Sequence, residues 1–267
     1  VTLAVGAERV VALLLRQLYL YRHSLIRSLE IVYWPVMDLL VWGFVSVYVA
    51  RLQGGGAAAI AFLVGAMILW DVFYRVQQAI SVSFLEDVWT RNLPNVFVTP
   101  ISTAEYIGAT MLLGVMKVAV IGVLLAVLAW LLYAFNIFRY GLPLLPFVLN
   151  LILGGWGMGI LTTALILRYG QGAEALAWAL AFLFQPFSAV FYPVRILPPV
   201  LQHVAWLLPT TYVFEGMRAV LGGRGLPWAY VGWGALANAL LLAGAGCVFA
   251  WVMEIARDQG LLLRVEG

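Results

Sequence analysis

The chain has 267 residues, 64% of them hydrophobic and 10% charged, with a mean hydropathy of +1.01 and a formal net charge of +3. One soluble core cannot hide that much apolar surface, so the remainder must face lipid and an all-α integral membrane fold is expected. Fifteen basic against 12 acidic residues leave no nucleic-acid footprint, and a lone cysteine, Cys247, excludes an intrachain disulfide or a cysteine-based metal site; it is expected to be a small buried side chain.

The first predicted element is an amphipathic helix over about residues 5–25. Val10, Leu13, Leu14, Gln17, Leu18 and Tyr21 recur at helical spacing, flanked by Arg9, Arg16 and Arg22. Arg16 cuts the apolar run 10–15 and no small-residue cleavage site follows, so the segment does not read as a signal peptide. It either lies in the membrane interface or packs as a surface helix of a cytoplasmic cap.

Six later stretches are apolar enough, at about 20 residues each, to cross roughly 30 Å of hydrocarbon. They cover about 31–50, 57–80, 104–135, 142–167, 173–192 and 227–253, and they read as one transmembrane domain over 1–267. With the N-terminus inside, eight arginines (9, 16, 22, 27, 91, 168, 257, 264) fall on the cytoplasmic side and five (51, 139, 195, 218, 224) outside. Both termini are therefore expected in the cytoplasm.

Two connections exceed a turn, and they lie on opposite sides of the membrane. Inside, residues 81–103 predict a short helix with Glu86, Asp87 and Arg91, broken at Pro94 and turned at Thr99-Pro100. Outside, the apolar run 200–208 is bracketed by Pro198-Pro199 and Pro209 and is too short to span, so residues 193–221 are expected to be re-entrant, with a second short helix over about 211–221. No internal repeat supports an inverted-repeat transporter.

Charges within spans are costly, so each needs a partner or a water-lined surface. Asp71, Arg75 and Gln78 share one helix face, as a polar stripe of a translocation path or as an internal ion pair. Asp38 and Lys117 have no local partner, and a contact between them is expected. Glu215 and Arg218 face the same way on the second outer helix, which favours a local salt bridge anchoring the hairpin over a substrate role. Gly155 and Gly159, and the repeat Ala235, Ala239, Ala243, Cys247, are candidate packing seams. GxxxxGK[ST], HExxH and GxSxG are absent, and His23 and His203 fall on opposite sides of the membrane, so neither a catalytic nor a metal site is expected.

The stretch Gln185-Pro186-Phe187, Tyr192-Pro193, Leu197-Pro198, Leu208-Pro209-Thr210-Thr211-Tyr212 and Phe214-Glu215-Gly216-Met217-Arg218, with Glu86-Asp87, Arg91-Asn92-Leu93 and the N-terminal helix, resembles the ABC-2 type permeases, the membrane subunits of type V ABC exporters. The resemblance covers nearly the whole chain. It implies a multi-pass permease of the inner (cytoplasmic) membrane, paired with a second permease subunit, identical or not, and with two ATP-binding subunits. This chain would bind no cofactor itself, and ATP and Mg would reside on the partner. The resemblance also implies a cytoplasmic coupling helix at about 84–93, where Phe84, Glu86, Asp87, Trp89 and Arg91 would meet the ATPase. Residues 197–221, with Pro198, Pro209, Tyr212, Glu215 and Arg218, would close the outer mouth.

An amphiphilic, drug-like, lipid-linked or polysaccharide substrate follows from the same likeness. Trp34, Trp42, Tyr48, Trp70, Phe73 and Tyr74 either line its channel or serve packing and the interface belts. The alternative is an ion- or proton-coupled secondary transporter in which Asp71, Arg75 and Lys117 form a relay. A membrane enzyme or scaffold subunit is the third class.

Overall fold

The computed structural model describes residues 2–53 and 56–258. Among the described residues the chain forms ten α-helices and no strand: α1 (Thr2–Arg22), α2 (Leu25–Gln53), α3 (Gly56–Trp89), α4 (Leu93–Val98), α5 (Thr103–Tyr133), α6 (Gly141–Tyr169), α7 (Glu174–Phe184), α8 (Pro199–Leu207), α9 (Pro209–Leu221) and α10 (Trp228–Asp258). Five of them, α2, α3, α5, α6 and α10, are long and apolar enough to cross a membrane. α3 is the central one: its membrane segment is the most buried of the five, and α2, α5 and α6 all pack on it.

The stretch 173–192, expected as one spanning helix, is an 11-residue helix followed by non-helical chain. Pro186 has no N–H to continue the ladder, and Ala189 adopts a left-handed φ of 52° before the chain runs on through Pro193. Irregular backbone at membrane depth survives only inside protein. Here Ser188, Ala189 and Val190 are buried, the Arg218 guanidinium donates to the Ala189 carbonyl at 2.8 Å, and the Val194 N–H donates to Glu215 at 2.7 Å. The predicted outer segment is thus two short helices, α8 and α9, each opened by proline, and α9 packs against α6 and α10.

The expected separate coupling helix over 84–93 is also different. α3 continues unbroken to Trp89, because nothing between Ser81 and Trp89 interrupts the helix; the chain then turns through Arg91 in the left-handed region, at φ 53°. Pro94 opens the six-residue α4 rather than breaking an earlier helix. A capping box between Ser102 and Glu105 then starts α5.

Close helix contact uses glycine where predicted in α6. A Cβ on Gly155 would meet the Phe73 carbonyl and Val76 of α3 at 2.8 Å, and one on Gly159 would meet the Gln77 carbonyl at 3.0 Å. The α10 repeat behaves otherwise: Ala235, Ala239, Ala243 and Cys247 are all exposed, and α10 buries Gly234, Asn238 and Ala245 instead. Cys247 is therefore on an outward face and not in the core, as its apolar neighbourhood had implied. The α6–α10 contact carries a polar clasp in which the Asn238 amide donates to the Asn150 carbonyl at 2.8 Å.

Candidate functional site: a polar groove along α2 and α3

Helical spacing builds the site. On α3, Asp71, Arg75, Gln78, Val82 and Glu86 follow one another by three or four residues and share a face; on α2, Arg27, Glu30, Trp34 and Asp38 do the same, with Ile31 and Pro35 beside them. The two faces oppose each other around a cavity of about 610 Å³. Tyr21 of α1, Lys117 of α5 and Trp178 and Phe182 of α7 complete its walls. All five residues expected in a pathway, Asp38, Asp71, Arg75, Gln78 and Lys117, therefore border one space.

Inside the groove, Arg75 donates through Nε to Asp71 at 2.7 Å, both side chains being about nine-tenths buried. Gln78 donates to the Tyr74 hydroxyl at 2.8 Å. The expected Asp38–Lys117 contact is not formed. Lys117 Nζ donates to the Tyr21 hydroxyl at 2.7 Å and lies 4.6 Å from the centre of that ring. Burial pushes the Tyr21 hydroxyl above the usual tyrosine range, so it stays protonated and accepts from the ammonium. α1 reaches Lys117 because it packs back along α5, a long-range contact that no local spacing encodes.

Above Asp38 the space narrows to a slot of about 90 Å³ between Trp42, Trp70, Tyr74 and Phe191. Trp42 stacks on Phe191 with ring centres 4.1 Å apart and planes 14° apart, closing the slot toward the α8–α9 end. Of the six aromatic residues proposed for a channel, Trp34, Trp42, Trp70 and Tyr74 line these two spaces. Phe73 is core, and Tyr48 is exposed on α2.

At the opposite end, Arg27 donates to Glu86 at 3.3 Å, and Asp87 holds Arg16, the Tyr106 hydroxyl at 2.8 Å and the Asn92 amide at 3.2 Å. Phe84 and Asp87 are interior, 1% and 2% exposed, so neither presents a side chain to a docked protein. Trp89 and Arg91 are exposed, and Glu86 is partly so. The Trp89 indole donates to Glu174, the first residue of α7, at 3.3 Å.

On the α8–α9 side, Pro209 is buried, Pro198 is exposed, and the Tyr212 hydroxyl donates to the Trp206 carbonyl at 2.8 Å. Glu215 and Arg218 pair at 3.0 Å and clamp the chain at 189–194, the anchoring role their spacing favoured. A second cavity, of about 410 Å³ and largely apolar, lies between α6, α8, α9 and α10 and shares no lining residue with the groove. Among the described residues no group of three or more His, Cys, Asp or Glu side chains has the arrangement of a metal site.

The family model described as ABC-2 type transporter matches residues 9–221. The chain belongs to the ABC-2 type transporter family. It is also 24% identical over 170 residues to the inner membrane transport permease YadH of Escherichia coli K12, an overlap of 61% of this chain and 63% of that protein. The protein of the same name in Shigella flexneri matches to the same extent. The match thus spans less than two thirds of these relatives' own length. The ABC-2 match takes in the groove on α2 and α3, Lys117, the turn at 90–92 and the α8–α9 hairpin, and leaves α10 outside.

Sequence reasoning missed Tyr21, Glu30, Trp178 and Phe182. Trp178 and Phe182, four apart in α7, and Glu30, eight before Asp38 on α2, carried the signal, since each continues a face already marked by charge.

Proposed function

We propose that this chain is the membrane-spanning subunit of an ATP-driven exporter of the inner membrane, moving an amphiphile through the groove between α2 and α3. The observation that carries the reading is the groove itself: a membrane chain of the ABC-2 family gathers its intramembrane charges around one space of about 610 Å³. Unpaired and half-paired charges are tolerated at that depth only along water, and water is what a path for a polar headgroup requires. These 267 residues contain no phosphate-binding loop, so a separate pair of ATP-binding subunits supplies the hydrolysis and holds ATP and Mg.

Docking falls on the turn after α3, where Trp89 and Arg91 are exposed. α3 is one helix of 34 residues, about 50 Å long, and it runs from that turn to the groove wall without a joint. A push at Trp89 therefore reaches Asp71 and Arg75 as a rigid-body movement, and through Glu174 it reaches α7 as well. The stacked Trp42 and Phe191 are the outer barrier that this movement must separate. The nucleotide's work enters as the partner's differing affinity for the closed and open states. A second permease subunit covers the exposed face of α2, and the sixth crossing is made by α7 with residues 185–193.

The test is co-purification followed by reconstitution. A Walker-motif protein of the same cell should come down with the chain, and the complex in proteoliposomes should move an amphiphile only with hydrolysable ATP. Transport that persists without any ATPase and collapses with the proton gradient would replace this reading by a secondary transporter working through Asp71, Arg75 and Lys117.

A further inference from the structure

We propose that the groove selects amphiphilic cations, meaning a protonated or quaternary centre carried on an apolar or aromatic body. The inference deepens the transport reading and rests on it for the groove's role as a path.

Seven charged side chains line the space, three basic and four acidic, so the lining carries one excess negative charge. Its bases are all engaged: Arg75 with Asp71 at 2.7 Å, Arg27 with Glu86 at 3.3 Å, and Lys117 with the hydroxyl and ring of Tyr21. What remains is two carboxylates. Among the described residues, neither Glu30 nor Asp38 makes a hydrogen bond or an ion pair, and both are exposed to the groove. Once the two ion pairs are set aside, the lining offers two carboxylates against one ammonium, that of Lys117, which the neutral Tyr21 hydroxyl and ring hold in place, so a cation is favoured here and an anion opposed.

The rest of the wall suits the same ligand. Glu30, Trp34 and Asp38 stand at i, i+4 and i+8 on α2, so the indole of Trp34, 61% exposed, is flanked by one carboxylate a turn below and one a turn above. Tyr74, Trp178 and Phe182 border the same space from α3 and α7. Aromatic faces beside carboxylates are the arrangement that holds an ammonium or other soft cation while covering its apolar body. The volume of about 610 Å³ lies in the range of drug-sized ligand sites. Asp38 also borders the aromatic slot under the Trp42–Phe191 stack, so a cation held there stands directly below the closed end of the path.

The matched probes are tetraphenylphosphonium and tetraphenylborate, ions of the same shape and opposite charge. Binding to the purified, detergent-solubilised chain is measured by equilibrium dialysis, and transport by the chain with its ATPase partner in proteoliposomes. Saturable binding of the phosphonium should exceed that of the borate. Asp38→Asn should weaken phosphonium binding about tenfold, the worth of one charge contact at a partly desolvated site, and leave the borate unweakened. Glu30→Gln should act in the same direction, and because both side chains are exposed and unpaired, melting temperatures of the variants should match the parent. Equal binding of the two ions, or an unchanged phosphonium affinity in a folded Asp38→Asn/Glu30→Gln double variant, would overturn the proposal. ATP-driven export of the borate with exclusion of the phosphonium would overturn it too, while leaving the transport reading standing. Selective, Asp38-dependent phosphonium binding with no ATP-dependent movement would support the charge preference and count against the transport reading.

Discussion

Asp71 and Asp87 are both acids of α3 facing a basic partner, yet they belong to different kinds of site. Asp87 is enclosed by Arg16, Tyr106 and Asn92 at the helix end and does not line the groove, so its work is to hold α1 and the turn at 90–92 in place. Asp87→Ala leaves Arg16, about a third exposed, without its anion, and a loss of about 3 kcal/mol is expected, read as a lower melting temperature in detergent. Trp89→Ala and Arg91→Ala should leave that temperature within a degree or two and abolish ATP-dependent transport, because both side chains are exposed where the partner is proposed to dock. Asp71 and Arg75 are buried and paired. Removing one alone strands a buried charge at a cost of about 3–5 kcal/mol, whereas Asp71→Leu with Arg75→Leu together should recover most of that stability. A stable double variant that cannot transport separates a path residue from a structural one; a stable double variant with full transport would make the pair packing only.

At the scale of the helix, α6 depends on having no side chain where it crosses α3. The atoms that a Cβ on Gly155 would meet include the Phe73 carbonyl, which belongs to backbone and cannot rotate away. Gly155→Val should therefore destabilise the chain by about 1–3 kcal/mol and lower its yield in membranes, while Gly122→Val, with open space around it, should be tolerated; comparable melts for both would remove the seam from the account. This seam was legible in the sequence because GxxxG in an apolar helix has one physical meaning. The long spans α2, α3, α5, α6 and α10 were legible for the same reason, each being an apolar run of sufficient length. α7 was not, because an apolar run continues through Phe191 and hydropathy does not register that Pro186 ends the helix. The groove was half legible: Asp71, Arg75 and Gln78 announce a face by spacing alone. The partner of Lys117 depends on α1 folding back over α5, which lies in no local pattern.

For the whole molecule the number of crossings decides which side receives the ATPase and which the substrate. Five long helices would leave α1 and the end of α10 on opposite sides. A sixth crossing returns the end of α10 to the side of α1, in accord with the arginine bias read from the sequence. α7 alone, 11 residues at 1.5 Å each, covers about 16 Å, half of the hydrocarbon layer. For a sixth crossing, residues 185–193 cover the rest, first turning through 185–189, where the Ser188 N–H donates to the Phe184 carbonyl at 2.9 Å, and then running on to Pro193. Ser188, Ala189 and Val190 are buried, the Ala189 carbonyl accepts from Arg218 and the following Val194 N–H donates to Glu215, which is the condition for such a chain to exist at that depth. Single cysteines in a Cys247→Ser background read the outcome directly. Gly172→Cys, in open space before α7, should react with a membrane-impermeant maleimide only after permeabilisation, and Arg224→Cys, exposed after α9, should react in intact cells. Identical behaviour of the two positions would make 174–221 a single re-entrant excursion, put the end of α10 on the far side, and require the turn at Trp89 and the α8–α9 hairpin to share one face of the membrane, where docking and outer closure could not be separate events.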